Sequence, residues 1–226
     1  IHMNETEQEV TDSLEAHGMR PFAWLDELGV VDQIGSRGVA AHGIWLDETE
    51  REIAARNGIT IAHNPASNMK LASGVLDWQA LRQAGIPLML APDGVASNNN
   101  LDMFDEMKLA ALLQKVHTGD PTRLSATEAV ALAAGEYSRA FEAFGVTGHI
   151  VEGGVADLSL VDLDHPQMVP LHHIESNLTY AANGSVVDTV IINGEIVMAG
   201  RVIPGEAEVL EEARRCAAEL AQSAAG

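Results

Sequence analysis

Short apolar runs alternate with helix-forming stretches from Ile1 to about Ala143, a rhythm that points to parallel β/α units rather than a sandwich or a bundle. Val39-Ala40-Ala41 predicts a short buried strand ending at His42, Ile59 to Ala62 one ending at His63, and Leu88 to Ala91 one ending at Asp93. Helices fill the intervals. Thr6 with Glu9 has the capping-box pattern for a helix running to about Gly18, Pro21 opens a second ending near Gly29, and Asp47 can cap a third that stops near Asn57-Gly58. Val75 to Ala84 reads as helical up to Gly85, and Leu101 to His117 and Ser125 to Phe144 read as the last long helices.

From Gly148 the pattern changes to short strands at Ala156 to Val161, Val186 to Ile192 and Ile196 to Met198, with Asn193-Gly194 as a hairpin signal. An acidic, alanine-rich helix from about Glu206 to Leu220 closes the chain. The expected organisation is a β/α unit over 1–147, a small β-rich portion over 148–206 and a C-terminal helix over 207–226. The opening at Ile1, with His2 and Glu5 following at once and no initiator methionine, suggests a fragment of a longer polypeptide.

Charge narrows the range of partners. With 33 acidic against 13 basic residues the formal charge is -20, which repels phosphate backbones and anionic lipid, so neither nucleic acid nor a membrane is expected as partner. No apolar run approaches the roughly 20 residues of a membrane helix, and no secretory signal pattern is present, which predicts a cytoplasmic protein with a small ligand. The single Cys216 excludes an internal disulfide and a cysteine-rich metal site. Trp24 and Trp78 are assigned to packing; Trp45, three residues beyond His42, is near enough to the strand ends to line a pocket.

In parallel β/α folds the working residues gather at the C-terminal ends of strands. Here those ends supply His2 with Glu5, His42, His63 and Asp93, the residue types that bind a metal and move protons. A lone histidine after a strand is usually structural, but four ionisable strand ends in succession are hard to obtain by accident. His63 stays open between shaping the pocket floor and touching a substrate, because the Asn-Pro-Ala-Ser-Asn that follows it is a turn sequence.

The segments Ile1-His2-Met3-Asn4-Glu5-Thr6, Ala40-Ala41-His42-Gly43, Ala62-His63-Asn64-Pro65-Ala66-Ser67-Asn68-Met69-Lys70-Leu71 and Pro92-Asp93-Gly94-Val95-Ala96-Ser97-Asn98-Asn99 together resemble the amidohydrolase superfamily. The likeness is greatest to 5'-methylthioadenosine/S-adenosylhomocysteine deaminases. The segment Gly148 to Leu158 is similar to the stretch that leads this family's chain into its small β-sandwich.

The resemblance implies the C-terminal half, strands 5–8, of a metal-dependent (β/α)8 barrel with a small β-rich accessory domain. A whole barrel needs roughly 250 residues, so the upstream half of the same barrel is an implied partner, and the family's His-x-His pair has no counterpart in this sequence. By the same likeness His2 and Asp93 are ligands of one divalent metal ion, zinc being the expected one. Asp93 also takes a proton from the attacking water, Glu5 shuttles a proton to a ring nitrogen, and His42 hydrogen-bonds the nucleophile. Glu5, Asp93 and Ser97 are the implied substrate contacts. The plain alternatives are a helix N-terminal carboxylate for Glu5 and a loop hydroxyl for Ser97. The implied activity is hydrolytic deamination of an adenine nucleoside such as 5'-methylthioadenosine or S-adenosylhomocysteine by a homo-oligomer. Against it stand a guanine or pterin deaminase, a triazine-type chlorohydrolase, and a non-catalytic half-barrel scaffold.

Overall fold

A computed structural model of the chain describes residues 1–224. Four strands, β1 (His2–Met3), β2 (Val39–His42), β3 (Thr60–His63) and β4 (Leu88–Leu90), form one sheet in the order β1-β2-β3-β4, every pair parallel. The register sets Met3 opposite His42, Ala41 opposite Ala62 and His63 opposite Leu90. The ionisable residues expected at strand ends are thereby brought to one rim of the sheet.

Between β1 and β2 run α1 (Glu7–His17), α2 (Pro21–Glu27) and α3 (Val30–Ile34). Next, α4 (Glu48–Asn57) separates β2 from β3, and α5 (Pro65–Lys70) with α6 (Trp78–Gln83) separates β3 from β4. After β4 come α7 (Val95–Asn98), α8 (Met103–Thr118) and α9 (Ala126–Ala134). The starts follow local chemistry. Thr6 Oγ1 accepts from the Glu9 amide at 3.1 Å, while Asp47 with Glu50 and Ser125 with Glu128 make complete capping boxes. Left-handed glycines Gly18, Gly58 and Gly135 end α1, α4 and α9. One core joins sheet and helices, with Ile61, Leu88, Ala110, Ala129 and Leu132 without exposure. Each such Leu or Ile contributes roughly 1.5–3 kcal/mol.

Three expectations change. The helix expected over Val75 to Ala84 begins only at Trp78, because Asp77 accepts the Ala80 amide at 2.9 Å and so caps it there. The segment after His63 is the helix α5 rather than a turn: Pro65 occupies its first position, where a missing amide proton costs nothing. The helix expected to reach Phe144 stops at Ala134, since Gly135 adopts φ 83°, and a separate 3-10 turn covers Glu142–Phe144.

The tail holds β5 (Leu158–Val161), α10 (Ile174–Tyr180), β6 (Val187–Ile192), β7 (Glu195–Met198) and α11 (Glu206–Ala224). Strands β5-β6-β7 form an antiparallel sheet, and Asn193 and Gly194 turn the β6-β7 hairpin at φ 50° and 81°. Helix α10 had no sequence signal; it packs on α8 and α9, with Thr179 Oγ1 donating to the Ala126 carbonyl at 3.3 Å. The helix expected over 207–226 is α11, with Ala225 and Gly226 outside the described residues. Among the described residues no helix is long and apolar enough to cross a membrane.

Candidate active site

One potential ligand atom from each of His2, His42 and Asp93 lies within 4.8 Å of the others, the only such group of three among the described residues. The three come from β1, from the last residue of β2 and from the loop after β4. The His2 and His42 rings are stacked with centroids 5.2 Å apart. His2 is exposed and His42 fully buried.

His42 is held in an unusual backbone state, φ 72°, followed by Gly43 at φ 59°. A Cβ on Gly43 would stand 2.7 Å from Ile61 Cγ2, so only glycine lets the chain turn off the strand there. A non-glycine residue in this region costs on the order of 1 kcal/mol or more and persists where its surroundings over-determine it. Those surroundings are polar: the His42 amide donates to Asn64 Oδ1 at 3.3 Å, and Nδ1 lies 2.8 Å from Asn68 Oδ1. With the Asn68 oxygen accepting from Nδ1–H, Nε2 carries a free lone pair. That Nε2 is buried with no hydrogen-bond partner, and stands 3.7 Å from Glu5 Oε2.

Glu5 is aimed from two sides. Its Oε1 accepts from Ser73 Oγ at 3.1 Å, and the Ser73 carbonyl is fixed by the Trp45 indole N–H at 2.8 Å. Glu9, instead of closing the capping box onto Thr6, reaches further back and accepts the Asn4 and Glu5 amides at 2.9 and 2.7 Å. Between His2 and Glu5, Asn4 donates to Glu50 Oε2 at 2.9 Å. Glu50 is fully buried and also accepts from Arg20 Nε at 2.8 Å and the Phe22 amide at 2.9 Å.

Asp93 receives two hydroxyl donors on the same oxygen: Ser67 Oγ and Ser97 Oγ each lie 2.6 Å from Oδ2. Burial works to raise its pKa, but the hydrogen bonds from Ser67, Ser97 and the Gly94 backbone, helped by His42, hold it down at about 2. Asp93 is therefore a carboxylate over the whole working range of pH. Ser97 commits its one proton to Asp93, which leaves only its lone pairs to face a substrate. Two imidazoles, that of His42 offering a buried Nε2 without a partner, and a carboxylate kept anionic are a donor set that fits a divalent cation such as zinc.

His63 stands behind this group, 1% exposed, with neither ring nitrogen partnered. Burial, reinforced by His42, depresses its pKa from 6.5 to about 3. Between those values the unfolded chain binds a proton that the folded chain does not, so stability falls as pH drops from about 6.5 towards 3. His63→Leu is expected to flatten this acid dependence, which is at most about 1.4 kcal/mol per pH unit. Denaturant unfolding at pH 7.5, 6 and 5 checks it, and parallel slopes for parent and variant would refute it.

Sequence reasoning missed Asn64, Ser67, Asn68 and Ser73. The first three lie in the stretch read as a turn, and their burial at 0–3% is what marks them as supports of the site.

Residues 1–197 match the model of the amidohydrolase family. The chain belongs to that family. A 5'-deoxyadenosine deaminase of Methanoregula boonei is 48% identical over 225 residues, covering 99% of this chain and 50% of the relative. A 5-methylthioadenosine/S-adenosylhomocysteine deaminase of Archaeoglobus fulgidus is 46% identical over 229 residues, covering 99% and 53%. Among solved structures, an adenosine deaminase from Xanthomonas campestris with bound zinc superposes with TM-score 0.88 at 38% identity, over 98% of this chain and 50% of that one. The zinc complex of the atrazine chlorohydrolase of Arthrobacter aurescens gives 0.76 at 26%, over 90% and 44%. The chain thus spans about half the length of the curated relatives it matches, and its fold is the α/β fold of the amidohydrolases.

Proposed function

We propose that this chain forms the second half of an amidohydrolase barrel that deaminates adenine nucleosides, with 5'-methylthioadenosine, S-adenosylhomocysteine and 5'-deoxyadenosine as the substrate class. The observation that carries the reading is the convergence of His2, His42 and Asp93 with Glu5 at one rim, on a chain nearly half identical to deaminases of that class. The half-barrel reading is supported by the open edge of β1, whose one strand partner is β2, and by an apolar hollow of about 260 Å³ beside it lined by Ile1, Met3, Phe22 and Val39. An upstream strand and its ligands would complete the sheet on that side.

His2 and Asp93 would hold one divalent metal, zinc by the likeness to zinc-bound neighbours. When bound, the metal supplies Lewis acidity and lowers the pKa of a coordinated water. The chain's own residues do the rest. Asp93, kept ionised by its two serines, accepts a proton from the water that adds to the amino-bearing ring carbon. His42 turns Nε2 to the same spot, its Nδ1 pinned by Asn68. Glu5 delivers a proton to the adjacent ring nitrogen and recovers one from the hydroxyl on the ring carbon as the 6-oxo group forms, while Asp93 passes the proton it took from water to the amino group, which departs as ammonia. Ser97, its proton given to Asp93, can accept a hydrogen bond from a substrate hydroxyl.

The test uses the longest natural polypeptide containing this chain: metal content, and ammonia release from 5'-methylthioadenosine, 5'-deoxyadenosine, adenosine and guanine. About one metal per chain, with turnover of the adenine nucleosides, is the expected result. Metal with turnover of guanine or a chlorotriazine alone would move the substrate to another branch of the family. Absence of metal would overturn the site and leave the scaffold.

A further inference from the structure

One fully buried carboxylate behind the site takes no part in the chemistry above. Glu106, on α8, has no exposure. Its Oε2 accepts from the Ala66 amide at 3.2 Å, and its Oε1 accepts from Asn98 Nδ2. Ala66 is the residue before Ser67, and Asn98 the residue after Ser97. Those are the two serines whose hydroxyls converge on Asp93 Oδ2. One side chain of a long helix therefore grips both segments from which the serines reach the aspartate.

The physical case rests on what these segments lack. Helices α5 and α7 have six and four residues, too short to hold their own shape, since isolated helices below about 12 residues are marginal. A hydroxyl-to-carboxylate contact of 2.6 Å tolerates little drift of either serine. A buried carboxylate is an expensive way to fill a core position that Leu or Met would fill with less desolvation. Burial raises the Glu106 pKa against the lowering effect of its bonds from Asn98 and Ala66, so the group sits there at a cost. Packing alone gives no reason for it, whereas anchoring two short segments at once does.

We propose that Glu106 is a positioning residue: by tying Ala66 and Asn98 together it sets Ser67 and Ser97 on Asp93 Oδ2 and so fixes the orientation in which Asp93 meets the metal. The inference rests on the reading of Asp93 as a ligand.

The test uses the same long polypeptide in zinc and cobalt(II) forms. Glu106→Leu is expected to speed zinc release to a chelator by about 10-fold or more, to alter the cobalt(II) absorption spectrum, and to lower kcat with KM for the nucleoside nearly unchanged. Glu106→Gln should rescue most of this, because the amide oxygen still accepts from Ala66 and the amide nitrogen can meet Asn98 Oδ1, which has no partner in the parent. In a Ser67→Ala/Ser97→Ala background, adding Glu106→Leu should change zinc release less than about two-fold, since linked residues are not additive. Asn98→Ala, which removes one of the two grips, should give a smaller effect in the same direction and serves if Glu106→Leu does not fold. The proposal is overturned if the Glu106 and Asn98 variants lose thermal stability while folded protein keeps the parent's zinc release, cobalt(II) spectrum and kcat, or if the effect of Glu106→Leu multiplies in full with that of the serine changes. Failure of the site itself shows earlier, as absence of metal in the parent, and overturns both.

Discussion

Glu5→Gln is expected to lower kcat on a methylthioadenosine-type substrate by about 10²- to 10⁴-fold, the usual worth of a positioned proton donor. The change is nearly isosteric. The amide oxygen can still accept from Ser73 Oγ, and the Glu9 carboxylate holds residue 5 by its backbone amide, which the substitution leaves in place. Metal content and melting temperature should therefore stay close to the parent's, and KM should move little. These accompaniments decide between the two roles available to a carboxylate in this place. A residue serving only the start of α1 would give up roughly 0.3–1 kcal/mol of stability with turnover intact. Steady-state kinetics beside a thermal melt separate them, and a variant that turns over at the parent's rate would remove Glu5 from the chemistry.

Asp93→Asn should be more damaging still. The substitution removes the anion from a position where two hydroxyls at 2.6 Å have been arranged to favour it. In the proposed mechanism it also removes the group that takes the proton from water. Loss of both functions should bring activity to background, a fall of about 10⁴-fold or more, with at least about 100-fold weaker retention of metal than the parent shows. Ser67→Ala/Ser97→Ala retains the carboxylate and should fall between the two. Metal analysis after dialysis against a chelator gives the answer: full metal occupancy in Asp93→Asn would mean that the imidazoles and unseen ligands suffice without it.

The strand and helix rhythm was legible because apolar spacing and caps are local signals. Residues Val39 to His42 and Leu88 to Leu90 announce themselves by composition, and Asp47 or Ser125 by the glutamate three residues on. The site's leading members were legible for a related reason, since a strand end in a parallel sheet is a place the sequence marks. What could not be read were the partners. Nothing near Glu106 in the chain says that it meets Ala66, 40 residues away, and nothing near Ser73 says that it meets Glu5, 68 residues away. The Asn-Pro-Ala-Ser-Asn stretch misled because proline and asparagine open a helix and make a turn with the same residues, and the choice was made by the buried Asn64, Ser67 and Asn68. The accessory segment hid α10 in the same way, its helix being stabilised by α8 and α9 rather than by its own seven residues.

Glu50 bears on how the site moves. Its carboxylate ties the Asn4 turn, the Arg20 side chain and the first turn of α2 to α4, so these parts shift as one body. Lifting Asn4 away would take one donor from a buried anion that keeps its Arg20 and Phe22 bonds, a cost of roughly 1.5–3 kcal/mol, which keeps such excursions at about one molecule in ten or fewer. The wall bearing His2 and Glu5 is accordingly set before any ligand arrives, and none of the free energy of binding is drawn off to close it.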